Sequence, residues 1–129
     1  MMETKDRKNQ KSEAEMLARV AAKALDDKKG LDVCILDLGE LQSAPARFFV
    51  IASGNVPSHV SALSDAVHEA VKKMFGQNPS KVEGYNNAEW ILMDYFDVVV
   101  HILQKDKRDY YRLEQLWADG KTLDLDKVQ

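Results

Sequence analysis

A single cysteine, Cys34, stands in a chain of 129 residues. Its solitude excludes an intrachain disulfide and a cysteine-built metal site, and it suits a reducing compartment. Basic charge is not in excess either: 18 Lys and Arg against 21 Asp and Glu leave a formal net charge of −3. Proteins whose main partner is bare DNA or RNA carry a clustered basic face, so this balance points away from nucleic acid and leaves a basic protein as a fitting partner. No stretch approaches the roughly 20 apolar residues of a membrane span, and the opening MMETKDRKNQKSEAEM holds no apolar core for a secretory signal. The expected location is cytoplasmic, with no membrane partner. Also missing are the P-loop lysine and the repeated glycines of a dinucleotide fingerprint, so Ser53-Gly54-Asn55 reads as an ordinary strand-to-helix turn.

What is present is 45% hydrophobic and 30% charged, enough for a single core. Residues 1–12 are almost wholly polar and read as a flexible arm, 13–120 as one α/β domain, and 121–129 as a C-terminal tail. Leu17, Val20, Ala21, Ala24 and Leu25 recur at helical spacing, with Gly30 as a stop. LDVCILDL (residues 31–38) and RFFVIAS (47–53) have the length and β-branched content of strands, the second apolar on both faces and therefore central. Val60, Leu63, Val67, Val71 and Met74 predict a second helix, capped by Asn55 or Ser58 and ended by Gly76. SKVEGY, EWILMD and DVVVHIL follow as strands, the last two joined around Tyr95 and Phe96, and Asp106 is placed to cap a final helix carrying Tyr110, Leu113 and Trp117. The order α-β-β-α-β-β-β-α predicts a mixed β-sheet with flanking helices.

Candidate chemistry is thin. His59 and His68 share one predicted helix without a companion carboxylate pair, and no metal site is expected. Cys34 lies in an apolar strand with no oxyanion-forming glycine turn after it, which favours inert packing over a nucleophile. Asp94 and Asp97 flank a predicted turn, where aspartates belong for conformational reasons alone. His101 sits among apolar strand residues and needs a hydrogen-bond partner there; an acid such as Asp94 or Glu114 is the expected one. Period two puts Trp90 and Leu92 on one strand face and Ile91 and Met93 on the other. Trp90 is then either a core residue under a helix or a half-open anchor rimmed by carboxylates, suited to a basic protein surface.

The blocks ALDDKKGLDVCILDL, FFVIASGN, VEGYNNAEWILMDYFDVVVHIL and RDYYRLEQLW, in that order over about Ala18 to Asp119, resemble the ribosomal silencing factor family, also called Iojap-like. The resemblance implies a nucleotidyltransferase-like α/β fold without the catalytic acids; here the residues after Gly54-Asn55 are Asp65, His68 and Glu69 on a helix. It implies a translation repressor with no catalytic residues, no cofactor and no enzymatic activity. Such a protein binds ribosomal protein number fourteen on the large subunit and keeps the small subunit from joining when nutrients run short. An assembly factor for the large subunit is the alternative, and a nucleotidyltransferase-type enzyme the more distant one. Carried over by motif, W-I-L-x-D matches Trp90, Ile91, Leu92 and Asp94, and E-G matches Glu83 and Gly84; with Asp97 these give the expected partner-binding set of Trp90, Leu92, Asp94, Glu83 and Asp97. His101, Arg108, Tyr111, Glu114 and Trp117 are expected to support it structurally. Arg47, His59 and Phe96 stand where the family often has aspartate, glutamine and glycine. A homodimer of the free protein, through an exposed sheet edge or the same apolar patch, is a further expectation.

Overall fold

The computed structural model describes residues 2–39, 46–111 and 121–123. The chain runs α1 (Met2–Asp27), β1 (Leu31–Asp37), β2 (Phe48–Gly54), α2 (Pro57–Phe75), β3 (Lys81–Glu83), β4 (Trp90–Asp94), β5 (Val98–Gln104), α3 (Lys105–Tyr111) and β6 (Lys121–Thr122). The strands form a six-stranded sheet in the order β3-β4-β5-β2-β1-β6. Among the described residues only β2 and β5 pair in parallel; every other pair of neighbours is antiparallel. The mixed sheet with flanking helices is the one expected, with β6 added by the segment read as a tail. A two-residue strand has too little sequence to show a period, and only its pairing with Leu36 and Asp37 reveals it.

Position in the sheet explains composition. β2 is central, and all seven of its residues are buried, which is why it reads FFVIASG with no charge. β5 beside it splits by parity: Val98, Val100 and Ile102 join α1 and α2 in the larger core, while Val99 and Leu103 join Phe49, Ile51, Leu36 and Leu38 on the opposite face. Each fully buried aliphatic side chain contributes roughly 1.5–3 kcal/mol, so the two faces together account for most of the drive to fold. From α1 the larger core receives Leu17, Ala18, Ala21 and Leu25; small alanines let the helix lie close to the sheet.

α2 departs from expectation at both ends. Val56 occupies the N-cap in an extended conformation with Pro57 following, and no side chain caps it. The role assigned to Asn55 or Ser58 is filled in reverse. The Asn55 N–H donates to His59 Nδ1 (3.2 Å), which leaves the proton on Nε2 to be donated to Lys28 O (3.1 Å). His59 thereby ties the start of α2 to the turn after α1. At the other end Val60, Leu63, Val67 and Val71 are buried, but Met74 is 66% exposed. Phe75, four residues after Val71, packs against the core in its place. Gly76 closes the helix at φ 65, donating to Lys72 O at 2.8 Å. Among the described residues no helix is long and apolar enough to cross a membrane.

Candidate functional site

The sheet face opposite α1 and α2 carries the residues singled out above. Cross-strand register lines up Glu83, Leu92, His101, Ile51 and Cys34 in one row from β3 to β1, and Lys81, Asp94, Val99, Phe49 and Leu36 in the next. Directly paired residues project to the same side. The outer end of this face, at the β3 edge, therefore mixes apolar side chains with the carboxylates of Glu83 and Asp94 and the ammonium of Lys81. Trp90 and Leu92 are half-buried there, while Ile91 and Met93 are fully buried under the helices. Trp90 is thus neither plain core nor a free anchor, because one part of the indole is held and the rest is open.

What holds it is His101. The indole N–H donates to His101 Nδ1 at 3.0 Å, and the two rings lie 5.8 Å apart. The edge of the Phe49 ring contact closes the other side, at 4.6 Å between centroids. The acid partner expected for His101 is not the one it has: Asp94 instead accepts the Phe96 N–H at 2.7 Å, and Glu114 lies outside the described residues. Register is the reason. Leu92 stands opposite His101 and Asp94 opposite Val99, which puts the indole of Trp90 within diagonal reach and the Asp94 carboxylate at the turn. With Nδ1 accepting, the imidazole must be neutral with its hydrogen on Nε2. That Nε2 is buried and has no hydrogen-bond partner among the described residues. Burial pushes the His101 pKa down to about 4.

Glu83 is exposed and pairs with Lys81 Nζ at 2.8 Å. The turn after it depends on Gly84, whose φ is 80 and whose added Cβ would meet Trp90 O. A side chain at this position would push directly on the strand that presents Trp90. Asp97 lies exposed in the β4–β5 turn, its carbonyl accepting the N–H groups of Arg47 (2.9 Å) and Phe48 (3.0 Å). Arg47 therefore falls at the same end of the sheet as Asp97. Between Asp94 and Asp97, Phe96 adopts φ 70 although it is no glycine, and its ring is 72% exposed.

Arg108 is buried and reaches from α3 across β1 and β2, donating to Ser53 Oγ (3.1 Å) and Leu31 O (3.3 Å), with Cys34 Sγ 3.8 Å away. Asp106 lies in the first turn of α3 rather than before it, accepting the Lys107 N–H. Tyr111 closes the helix, and Trp117, like Glu114 and Leu113, lies outside the described residues. Phe49, Ser53 and Leu31 were not legible as members of this arrangement, since they look like any apolar or small strand residue.

The same geometry answers the chemical alternatives. Cys34 and His101 share a face but are separated by Ile51, roughly 10 Å apart at two strand spacings, with the imidazole acceptor engaged by Trp90. Asp65 accepts the Tyr85 hydroxyl at 3.0 Å, and His68 pairs with Asn78 at 3.3 Å. Among the described residues no group of three or more His, Cys, Asp and Glu is placed to hold a metal ion.

Residues 10–129 match the family model described as "Ribosomal silencing factor during starvation". The chain is similar to the ribosomal silencing factor RsfS of Bacillus subtilis, 40% identical over 118 residues, covering 92% of this chain and 95% of that protein. It is similar in structure to a protein of Chromobacterium violaceum seen by X-ray crystallography, with a TM-score of 0.76 and 34% identity over 85% of this chain and 89% of the other. A more distant relative is the mouse mitochondrial assembly of ribosomal large subunit protein 1, 28% identical over 99 residues, of which this chain covers 42%.

Proposed function

The chain belongs to the ribosomal silencing factor family, and from that premise we propose that it represses translation under nutrient limitation by docking on ribosomal protein number fourteen of the large subunit. Its bulk then occupies the space that the joining small subunit needs. The family is by its description one of regulators, and the chain is a regulatory protein rather than an enzyme. The single observation that carries the docking reading is the half-open Trp90, fixed by His101 and flanked on its sheet face by Leu92, Glu83 and Asp94, with Asp97 at the adjoining turn. A pre-positioned aromatic loses little freedom on binding, and carboxylates around it orient a basic partner. The net charge of −3 acts in the same direction. The proposed setting is the cytoplasm, and in the free state the same face is offered to a second copy of the chain, a homodimer that sedimentation across a concentration series detects.

The test is a pull-down of large subunits with the native chain, Trp90→Ala and Glu83→Lys, together with gradient profiles of ribosomes after addition of each. Trp90→Ala is expected to weaken binding by about 2 kcal/mol or more, roughly 30-fold, as for a central interface residue. Because Trp90→Ala also frees His101 Nδ1, Glu83→Lys, on an exposed side chain, separates lost docking from lost folding. Equal retention of all three proteins would overturn the assignment of this face. A second reading, assembly of large subunits, is favoured by the name of the mouse relative. Immature large particles accumulating on loss of the protein would support it, whereas intact free subunits with fewer joined ribosomes support blockade.

A further inference from the structure

The connection between β4 and β5 carries a bulky apolar ring on a backbone that resists one. Four non-glycine residues among those described have positive φ: Lys29, Asp32, Ala88 and Phe96. Lys29 and Asp32 are polar, and Ala88 is small and buried. Phe96, at φ 70, alone combines that backbone with a large exposed hydrophobic side chain. At 72% exposure it is also the most open of the large hydrophobics among the described residues, and it joins neither core cluster. The Asp97 N–H donates to Tyr95 O at 3.0 Å and so closes a three-residue turn around Phe96. With positive φ at its centre, such a turn is of the rare and strained form. In the free chain the ring gains no burial to set against that strain. The turn is nevertheless pinned: the Phe96 N–H donates to Asp94 Oδ1 at 2.7 Å, the Tyr95 N–H donates to Val98 O at 2.8 Å, and the Tyr95 side chain is buried in the larger core. Strain held in a fixed, solvent-facing turn points to a use outside the folded chain.

We propose that Phe96 is a second anchor of the docking face, seated in the complex against a basic side chain of the partner. The cation lies on the face of the ring, and its N–H groups reach the carboxylates of Asp94 and Asp97 on either side of Phe96 in the chain. This rests on the docking reading above and adds to it a residue and a chemistry. An aromatic face attracts a lysine or arginine cation, arginine best because its plane stacks on the ring, and a neighbouring carboxylate strengthens the contact. Trp90 and Asp94 begin and end β4, roughly 13 Å apart at about 3.3 Å per residue, so the two aromatics stand towards opposite ends of that strand. An ordinary interface buries about 800 Å² on each partner, a patch wide enough to take in both. One anchor leaves a bound partner free to pivot, and a second at this separation fixes its orientation.

Pull-downs of large subunits with the native chain, Phe96→Gly, Phe96→Asn, Phe96→Tyr and Trp90→Ala test this, with a thermal melt of each protein. Phe96→Gly and Phe96→Asn relieve the backbone and remove the ring. Both are expected to melt no lower than the native chain and yet to bind about tenfold more weakly. Binding lost by a protein that melts no lower is not lost through folding. Phe96→Tyr, which keeps the aromatic face, is expected to recover most of the difference. Native-like binding by either ringless variant, with Trp90→Ala weakened, would overturn the role of Phe96 and leave the docking reading standing. Binding by Phe96→Tyr as weak as that of Phe96→Gly would overturn it too, as would a lower melting midpoint for both ringless variants, since the ring would then stabilise the free chain. A native chain that fails to bind large subunits would bring down the docking reading itself, and the second anchor with it.

Discussion

Lowering the pH from 7 to 4 is expected to remove about 3 kcal/mol of stability through His101 alone. The cause is burial: the folded imidazole has its pKa pushed down to about 4, against an ordinary value of 6.5. Protonation would also strip Nδ1 of the lone pair that accepts the Trp90 indole N–H and set two N–H groups against each other, while Nε2–H has no partner among the described residues. Above about pH 6.5 both folded and unfolded chains hold the imidazole neutral, and the contribution is constant. Between about 6.5 and 4 the unfolded chain takes up a proton that the folded chain refuses, so stability falls with pH by up to 1.36 kcal/mol per unit. Below about 4 the folded form protonates as well and the loss levels off. Other groups titrate in the same range, and a comparison removes them: His101→Phe keeps a ring in the pocket but cannot titrate. Urea unfolding at pH 7, 6, 5 and 4 should show the native chain losing about 3 kcal/mol relative to His101→Phe, with the gap opening below pH 6.5. Parallel stability curves for the two proteins would refute the reasoning, as would a His101 Hε1 resonance that titrates near 6.5 in the folded protein.

Gly84→Ala is expected to destabilise by more than 1 kcal/mol, because φ 80 disfavours any Cβ and this one would meet Trp90 O; thermal melts measure it, and altered indole fluorescence would report the displaced strand. Phe96→Gly should raise stability by up to about 1 kcal/mol, since the exposed ring holds φ 70 at a cost glycine avoids, while Phe96→Val should lower it by a similar amount in the same melts. Arg108→Met is expected to cost about 2 kcal/mol by leaving Ser53 Oγ and Leu31 O without their guanidinium donor, and to speed amide exchange in α3; unchanged exchange there would show that Arg108 does not hold the helix.

The parity of Val98 to Leu103 was enough to assign both faces of β5, and Trp90 and Leu92 were separated from Ile91 and Met93 by the same rule. Period succeeds there because each residue's environment is set by its own strand. It fails where the environment is set by another strand. The Trp90–His101 bond depends on a register in which Leu92 faces His101, and the register follows from the geometry of the Asp94-to-Asp97 turn. Asp94 was a reasonable partner by distance along the chain, yet that turn directs its carboxylate to the Phe96 N–H. Met74 and Phe75 illustrate a finer failure: both fit a 3.6-residue repeat after Val71, and only the meeting of α2 with the rest of the fold decides between them.

The parallel pair β2 with β5 joins residues fifty positions apart, from Phe48 with Val98 to Gly54 with Gln104. During folding β2 can pair early with β1, the strand just before it, but its other edge waits for a strand fifty residues later. For that interval an uncharged strand, built to be covered on both sides, presents an unpaired edge. A chain truncated before β5 should therefore be prone to aggregation and to capture by chaperones, and restoring VVVHILQ, rather than any earlier segment, should relieve it.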